Sequence, residues 1–332
     1  MLQKGKPLPA SSPSWAEADT KGPAPKLSIV ASLYNSAPYL EEFHRRISLE
    51  VAKLGQPYEI LFVDDGSSDA SLAVALDIME RDAAVKVIEL SRNFGHHRAM
   101  MTGLDHAQGE LVFLIDVDLE ESPEVLGEFH ALMQQGNWDV VYGYQPQREG
   151  KAWKRFSGRI GWYLIRTVYS IDVPHNQCTV RLMKRDYVRA LVLHRELNTV
   201  IGGLWVITGF KQVGAPIHKS SRPMTSYSLV HRVVMLANGI TSFSTAPLTF
   251  MVYFGLLLSG LAFASGTYVA WRKLMYNVAV GWASLIVSIW FIGGVIILFL
   301  GVIGMYISRI FIETKQRPYS LIRKIHRRVP TQ

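Results

Sequence analysis

Three acidic residues follow an apolar run at alternate positions. Asp116, Asp118 and Glu120 come directly after LVFLI. Alternate side chains of an extended segment point to the same side, so this spacing predicts an all-oxygen cluster. Oxygen ligands suit hard cations, which indicates Mg²⁺ or Mn²⁺ rather than zinc. The competing interpretation is structural, because aspartates at strand ends also cap helices.

A second acidic group ends another apolar run. Asp64 and Asp65 lie in VDDGSSD, where Gly66 permits a sharp turn and Asp69 is suited to capping the next helix. Two adjacent carboxylates exceed what a cap requires, so we assign Asp64 and Asp65 to a nucleoside base or ribose. Neither G-x-G-x-x-G nor G-x-x-x-x-G-K-[ST] occurs. These absences count against dinucleotide oxidoreductases and P-loop NTPases.

Short apolar runs that alternate with helical periodicity carry both acidic groups. The runs LSIVASLY, EILFV, VKVIELS and ELVFLI are typical of buried strands. Between them, the periodicity predicts helices over 39–54, 70–81 and 97–107. This order indicates an α/β fold with a doubly wound, mainly parallel sheet, in which ligands bind beyond the carboxyl ends of the strands. Both acidic groups lie at such ends.

Two long uncharged segments follow this region. Residues 248–271 and 274–308 contain no charged side chain, and each exceeds the roughly 20 apolar residues that cross a bilayer. They predict a transmembrane hairpin over 247–308, with spans at about 248–271 and 282–307. With 49% hydrophobic and 19% charged residues, the composition also excludes a disordered chain.

The distribution of charge orients the hairpin. The net charge is +8, and residues 309–332 hold seven Lys or Arg and one Glu, a net +6. A basic segment directly after an apolar one is typical of a cytoplasmic, membrane-proximal tail and not of a nucleic-acid surface. The positive-inside rule therefore predicts that the catalytic domain and both termini are cytoplasmic. The single cysteine, Cys178, forms no intramolecular disulfide.

The other segments are predicted to be a leader, a catalytic domain and amphipathic helices. Residues 1–25 are rich in Pro, Ser and Ala and predict a flexible leader. Residues 26–226 form the catalytic domain, which includes a basic amphipathic helix at about 153–171. A second amphipathic helix is predicted over 227–246. Beside membrane spans, we expect such helices to lie in the membrane interface rather than to pack on the sheet.

Taken in order, the motifs resemble the GT-A-type family 2 glycosyltransferases that act on polyprenyl phosphates. This group contains dolichol-phosphate mannose synthase and the bacterial undecaprenyl-phosphate glucose and aminoarabinose transferases. The resemblance covers about residues 26–320 and is carried by SIVASLYN, EILFVDDGSSD, SRNFGHHRAMMTGLDHAQGELVFLIDVDLEESPE and NGITSFSTAPL.

The resemblance implies a metal-dependent, inverting transfer of a hexose from a nucleotide-diphosphate sugar to polyprenyl (undecaprenyl) phosphate. The reaction would take place at the cytoplasmic face of a bacterial inner membrane and supply a lipid-linked sugar for cell-surface glycans. The partners would be the two substrates and the membrane, with no nucleic acid. A homo-oligomer is allowed, although no sequence signal requires one.

The resemblance also implies roles for individual residues. The donor-nucleotide residues are Tyr34, Asn35, Asp64, Asp65, Arg92, Asn93 and His96. The metal ligands are Asp116, Asp118 and Glu120, and Glu120 stands where the family usually has Gln. The catalytic residues are Asp118 and Arg181, and the guanidinium of Arg181 suits the acceptor phosphate. The acceptor loop lacks its usual lysine, which Lys219 or Arg222 would replace.

Two alternative functions remain open. One is a non-catalytic membrane scaffold with a degenerate nucleotide-sugar fold, which the altered acceptor loop favours and the retained acidic residues oppose. The other is a polysaccharide synthase. Such enzymes need many spans and a Q-x-x-R-W motif, whereas this chain has two predicted spans and GGLW at 202–205. No motif identifies the sugar or the nucleotide.

Overall fold

The computed structural model describes residues 24–146, 176–194, 201–219, 246–276 and 281–328. Nearly all of the predicted leader, the predicted helix at about 153–171 and almost all of the one at 227–246 lie outside these residues. Arg222 lies outside them as well.

Eight strands in the described ranges form one mixed sheet. Side by side, they are β7 (Gln212–Pro216), β5 (Val140–Tyr144), β6 (Gln177–Lys184), β4 (Leu111–Leu114), β1 (Leu27–Leu33), β2 (Tyr58–Asp64), β3 (Val85–Leu90) and β8 (Ile322–Arg327). The four central strands β4, β1, β2 and β3 are parallel. Strands β6 and β8 run antiparallel to the central strands that they flank. The mainly parallel prediction is thus confirmed for the centre of the sheet.

Helices cover both faces of this sheet. The first face carries α1 (Ala37–Leu54), α2 (Ser71–Arg81) and α4 (Val125–Gln135). The second carries α3 (His96–His106), α5 (Arg185–Val192) and α6 (Ile201–Ile207).

Strand β1 shows how the sequence produces these two layers. All seven of its residues are buried, as expected for a central parallel strand. Ile29 and Ala31 pack into the core of the first face, whereas Val30 packs into that of the second. The period of two along the strand therefore supplies both cores from one apolar run.

Two long apolar helices follow the sheet domain. These are α7 (Ala246–Tyr276) and α8 (Trp282–Thr314), and each has the length and composition to cross a membrane. The rings of Phe254 on α7 and Phe299 on α8 lie 5.9 Å apart, edge to face. The two helices therefore touch and can form a hairpin.

The chain returns to the sheet after the second apolar helix. For residues 309–332 the sequence predicts only a basic tail. In the structure, α8 continues to Thr314, and residues Ile322–Arg327 form the edge strand β8 beside β3. Strand β8 carries charged side chains and is exposed along most of its length, so no apolar alternation marks it in the sequence.

Candidate active site

A pocket of about 340 Å³ opens at the carboxyl ends of β1 and β4. Parallel strands leave such a crevice where the chain reverses its order across the sheet, as it does between these two strands. The residues that line the pocket are Ser32, Leu33, Tyr34, Asn35, Ser36, Tyr39, Asp65, His96, Asp116, Val117 and Asp118. The structure thus brings together the predicted site residues Tyr34, Asn35, Asp65, His96, Asp116 and Asp118.

The acidic segment after β4 forms a turn. Strand β4 ends at Leu114, and Leu119 has the left-handed backbone conformation, with φ at 59°. The extended conformation that the alternate spacing predicts is therefore wrong. Asp118 Oδ1 accepts a hydrogen bond from the backbone N–H of Glu120 at 3.0 Å. Glu120 does not line the pocket, and its carboxylate lies 3.0 Å from Lys219 Nζ.

Asp116 has the environment expected of a cation ligand. Its Oδ1 is buried, accepts no hydrogen bond from the described residues, and lies 3.4 Å from His96 Nε2. Burial, and next the charge of Asp118, raise the pKa of Asp116 to about 6. A buried oxygen without a hydrogen bond beside a second carboxylate fits a hard cation.

Asp116 and Asp118 would hold such a cation only with help from further ligands. Among the residues that the structure describes, no three His, Cys, Asp or Glu side chains are grouped as a metal site. Oxygen atoms of a donor diphosphate and water would have to complete the coordination shell. Glu120, the third predicted ligand, is turned toward Lys219 instead.

Asp65 binds the backbone of a neighbouring loop. Its two oxygens accept hydrogen bonds from the N–H groups of Phe94 at 2.7 Å and Gly95 at 2.9 Å. Asp65 therefore fixes the loop 91–95, which leads into α3, while it also lines the pocket. Asp64 is 2% exposed, and its Oδ2 accepts the N–H of Ser67 at 3.4 Å. Burial raises the pKa of both carboxyl groups.

Gly66 allows the turn after β2 to pack tightly against the loop 91–95. It has a left-handed φ of 67°. A Cβ atom on Gly66 would lie 2.6 Å from both the carbonyl carbon of Arg92 and the backbone nitrogen of Asn93. Backbone atoms cannot move aside as a flexible side chain would, so this close approach requires glycine.

We expect Gly66→Ala to lower thermal stability and donor affinity together. The left-handed conformation alone costs an alanine roughly 1–2 kcal/mol, and the backbone clash adds to that cost. Gly55→Ala is the matched control, because Gly55 has a φ of 62° and no atom within 4 Å of its added Cβ. Differential scanning fluorimetry of both variants would measure the difference. Equal losses in the two variants would contradict the close-packing explanation.

Three further residues are predicted to bind the donor nucleotide, namely Arg92, Asn93 and His96, and of these only His96 lines the pocket. Arg92 and Asn93 are exposed and do not line the pocket, and the Arg92 guanidinium lies 4.1 Å from the centre of the Phe94 ring. His96, the first residue of α3, has its Nδ1 2.9 Å from the Ser32 hydroxyl. Burial lowers the pKa of His96, although the charges of Asp118 and Asp65 oppose this shift.

Glu121 connects the acidic turn to β6, and the sequence patterns did not indicate this role. It is fully buried and accepts hydrogen bonds from the N–H groups of Thr179 at 3.1 Å and Val180 at 3.0 Å. Burial, and next the charge of Asp116, raise the pKa of Glu121 to about 7. Only the fold reveals this contact, because the partners are 58 and 59 residues away along the chain.

Glu121→Gln is expected to remove part of the pH dependence of stability. The folded-state pKa is raised from 4.5 to about 7. The contribution of Glu121 to stability is therefore complete below pH 4.5 and is lost, on the order of 3 kcal/mol, as the pH rises through 7. Gln stays neutral at every pH, but its amide nitrogen cannot accept the N–H group that one carboxyl oxygen of Glu121 accepts. The variant should therefore be less stable than the wild type at pH 4, and its stability should fall less between pH 4 and pH 8. Thermal unfolding in metal-free buffer would test this, with Glu120→Gln as the control that keeps the wild-type slope.

Lys219 lies beside the acidic turn. Its Nζ is 3.0 Å from Glu120 and 3.7 Å from Glu121, and its side chain is about one-third exposed. Burial alone would lower the pKa of Lys219, but the hydrogen bond to Glu120 and the charge of Glu121 outweigh it and raise the pKa. Lys219 therefore remains a cation close to the pocket residues Asp116 and Asp118.

Arg181 lies in the core and does not line the pocket. It is 0% exposed, and it donates hydrogen bonds to the carbonyl groups of Thr179 and Cys178, both at 3.2 Å. Its guanidinium carbon is 3.0 Å from the centre of the Trp205 ring. Burial lowers the pKa of Arg181 to about 9, and one guanidinium nitrogen, Nη1, has no hydrogen bond to the described residues.

The sequence of this chain is similar to those of known proteins. Residues 28–192 match the model of Glycosyl transferase family 2. A Mycobacterium tuberculosis protein grouped with the glycosyltransferases is 45% identical over 302 residues, which cover 91% of this chain and 88% of that protein. The chain therefore belongs to glycosyl transferase family 2, and it is a glycosyltransferase.

One relative has a more specific name. A prophage-derived bactoprenol glucosyl transferase of Shigella flexneri is 33% identical over 312 residues, which cover 92% of this chain and all of that protein. Among solved structures, a mannosyltransferase of Pyrobaculum calidifontis in complex with GDP-mannose and Mn²⁺ is 16% identical. Its TM-score is 0.41, and the match covers 78% of this chain and 88% of that one. The resemblance to polyprenyl-phosphate glycosyltransferases is confirmed by the bactoprenol relative.

Proposed function

We propose that this protein transfers glucose from a nucleoside-diphosphate glucose to a polyprenyl phosphate at the membrane surface. The reaction inverts the configuration at the anomeric carbon and releases a nucleoside diphosphate. The product is a lipid-linked glucose phosphate, which would serve cell-surface glycan synthesis.

One observation carries this proposal: the acidic pocket and the two apolar helices belong to a chain that matches a bactoprenol glucosyl transferase along that protein's whole length. The match covers 92% of this chain. The remaining 8% is shorter than the combined length of α7 and α8, so the match includes part of the helical pair. A soluble acceptor would not require these helices, whereas a polyprenyl phosphate lies in the bilayer.

In this proposal the acceptor phosphate is itself the nucleophile. Its second pKa is about 6, so at neutral pH it is largely a dianion and needs no strong base. An oxygen of this dianion attacks the anomeric carbon, and the bond from that carbon to the donor diphosphate breaks. The protein then has to hold the two phosphates in line and to stabilise the leaving diphosphate.

Different residues in and beside the pocket would bind the two phosphates and the nucleoside. Asp116 and Asp118 would hold Mg²⁺ or Mn²⁺, which neutralises charge on the leaving diphosphate when bound. Tyr34 and Asn35 form the rim of the pocket, where a nucleoside base would lie. Lys219 supplies positive charge next to the acidic turn and is the described candidate for the acceptor phosphate.

The membrane arrangement follows from the same proposal. With the hairpin in the bilayer, both ends of the helical pair return to one side, because two spans reverse the chain direction. The basic residues that follow α8 favour the cytoplasmic side. We therefore propose that the pocket faces the cytoplasm, where nucleotide sugars are made.

A donor panel tests the proposed function. Full-length protein in detergent would be incubated with undecaprenyl phosphate, Mg²⁺ or Mn²⁺, and UDP-, GDP- or dTDP-glucose. Mass spectrometry of the lipid fraction should show a gain of one hexose with one of the donors, together with the released nucleoside diphosphate. Omission of the metal should abolish the product.

Two outcomes would contradict the proposal. A hexose gain only with a different sugar, such as mannose, would overturn the glucose assignment and keep the reaction class. A donor that binds without forming any lipid product would favour the scaffold function or another acceptor. Calorimetric titration with each nucleotide sugar distinguishes these cases.

A further inference from the structure

The segment after α8 contacts the same loop that Asp65 holds at the pocket. The carbonyl of Leu321 accepts a hydrogen bond from the N–H of Ser91 at 2.8 Å. Arg323 donates to the Ser91 carbonyl at 3.2 Å and to Glu89 at 3.0 Å, and His326 Nε2 lies 3.0 Å from the other Glu89 oxygen. We call Leu321, Arg323 and His326 the C-terminal clasp.

The clasp and Asp65 hold opposite sides of the loop 91–95. Asp65 binds the N–H groups at the end of the loop, and the clasp binds Ser91 at its start. A further contact joins the hydroxyl groups of Ser320 and Thr102, which lies on α3. The order of the loop therefore depends on contacts from both the pocket and the C-terminal segment.

A short chain segment connects the clasp to the end of α8. Only five residues separate Thr314, the last residue of α8, from Ser320. An extended chain spans at most roughly 3.5 Å per residue, so Ser320 lies within about 21 Å of the end of α8. A short chain segment therefore joins the second apolar helix to the clasp, which contacts the pocket loop through hydrogen bonds.

We propose that Glu89 and Arg323 are positioning residues that order the loop 91–95 for donor binding. They act through Ser91 and through the loop amides that bind Asp65, not by contact with substrate. The proposal rests on the proposed function only in taking the pocket as the donor site.

We expect replacement of Glu89 to disturb the loop more than replacement of Arg323. Arg323 is 63% exposed, and an exposed ion pair contributes little by itself. Glu89 is only 12% exposed at its side chain, and its hydrogen bonds with His326 and Arg323 hold the pKa of Glu89 below its usual range. Loss of Glu89 leaves both Arg323 and His326 without this partner, so Glu89→Ala should have the larger effect.

Hydrogen exchange of the full-length protein in detergent tests the proposal directly. Peptides covering 91–95 should exchange roughly tenfold faster in Glu89→Ala than in the wild type, and less than tenfold faster in Arg323→Ala. Arg328→Ala is the matched control, since Arg328 is an exposed arginine that follows β8. Where Glu89→Ala fails to fold, Glu89→Gln and Arg323→Ala carry the test.

Donor binding supplies the second measurement. The Kd and KM for UDP-glucose should rise roughly tenfold in Glu89→Ala, with kcat changed much less. Loop exchange equal to that of Arg328→Ala would overturn the proposal, and so would faster exchange with unchanged donor affinity. If wild-type protein binds neither UDP-, GDP- nor dTDP-glucose, the donor assignment in the proposed function fails, and hydrogen exchange still decides the role of the clasp.

Discussion

Replacement of Asp116 by Asn is expected to reduce kcat about 1,000-fold without a loss of thermal stability. Asn keeps the size of the side chain but loses the negative charge that binds a cation. Stability should be unchanged or higher, because the buried carboxylate oxygen accepts no hydrogen bond from the described residues. Burial also raises the pKa of Asp116, so the charged form is unfavourable without a cation.

Activity and metal binding should both be measured for this variant. The lipid-linked product reports kcat, and calorimetric titration with Mn²⁺ in the presence of donor reports the cation. Asp77→Asn is the matched control, because Asp77 lies on α2 with a side chain 69% exposed, and its activity should stay within about twofold. Asp116→Asn with wild-type turnover would remove Asp116 from the metal ligands.

The central sheet and its helices were predictable because each depends on local patterns. The run LSIVASL is apolar throughout, and it became a strand whose seven residues are all buried. In α1, Leu40, Phe43 and Ile47 recur with helical spacing and are all buried. The pocket also followed from the sequence, since polar residues at the carboxyl ends of parallel strands converge at one edge of the sheet.

Contacts between distant residues could not be predicted in the same way. The sequence VDDGSSD indicates no protein partner for Asp65. In the structure its carboxylate accepts hydrogen bonds from the backbone N–H groups of residues 94 and 95, which only the fold brings near. The alternate spacing of Asp116 and Glu120 suggested one strand face, but the left-handed Leu119 turns the chain. Strand β8 has no apolar alternation because both its faces are largely exposed.

Arg181 has two candidate roles that a single variant can separate. The family resemblance predicts that it binds the acceptor phosphate, so its loss would abolish transfer and leave folding and donor binding intact. The structure surrounds it with the carbonyls of Cys178 and Thr179 and with the Trp205 ring. We therefore expect Arg181→Ala to lower stability by about 2–4 kcal/mol, because it leaves two carbonyls without donors and opens a cavity.

The measurement is thermal unfolding together with UDP-glucose binding and lipid product formation. Arg189→Ala is the matched control, because Arg189 is an exposed arginine on the neighbouring helix α5 and should change none of the three. A large fall in the melting temperature of Arg181→Ala would show that the guanidinium supports the packing of β6 on α6. An unchanged melting temperature and donor affinity with transfer lost would instead favour the acceptor-phosphate role, with the unpaired Nη1 as the donor to the phosphate.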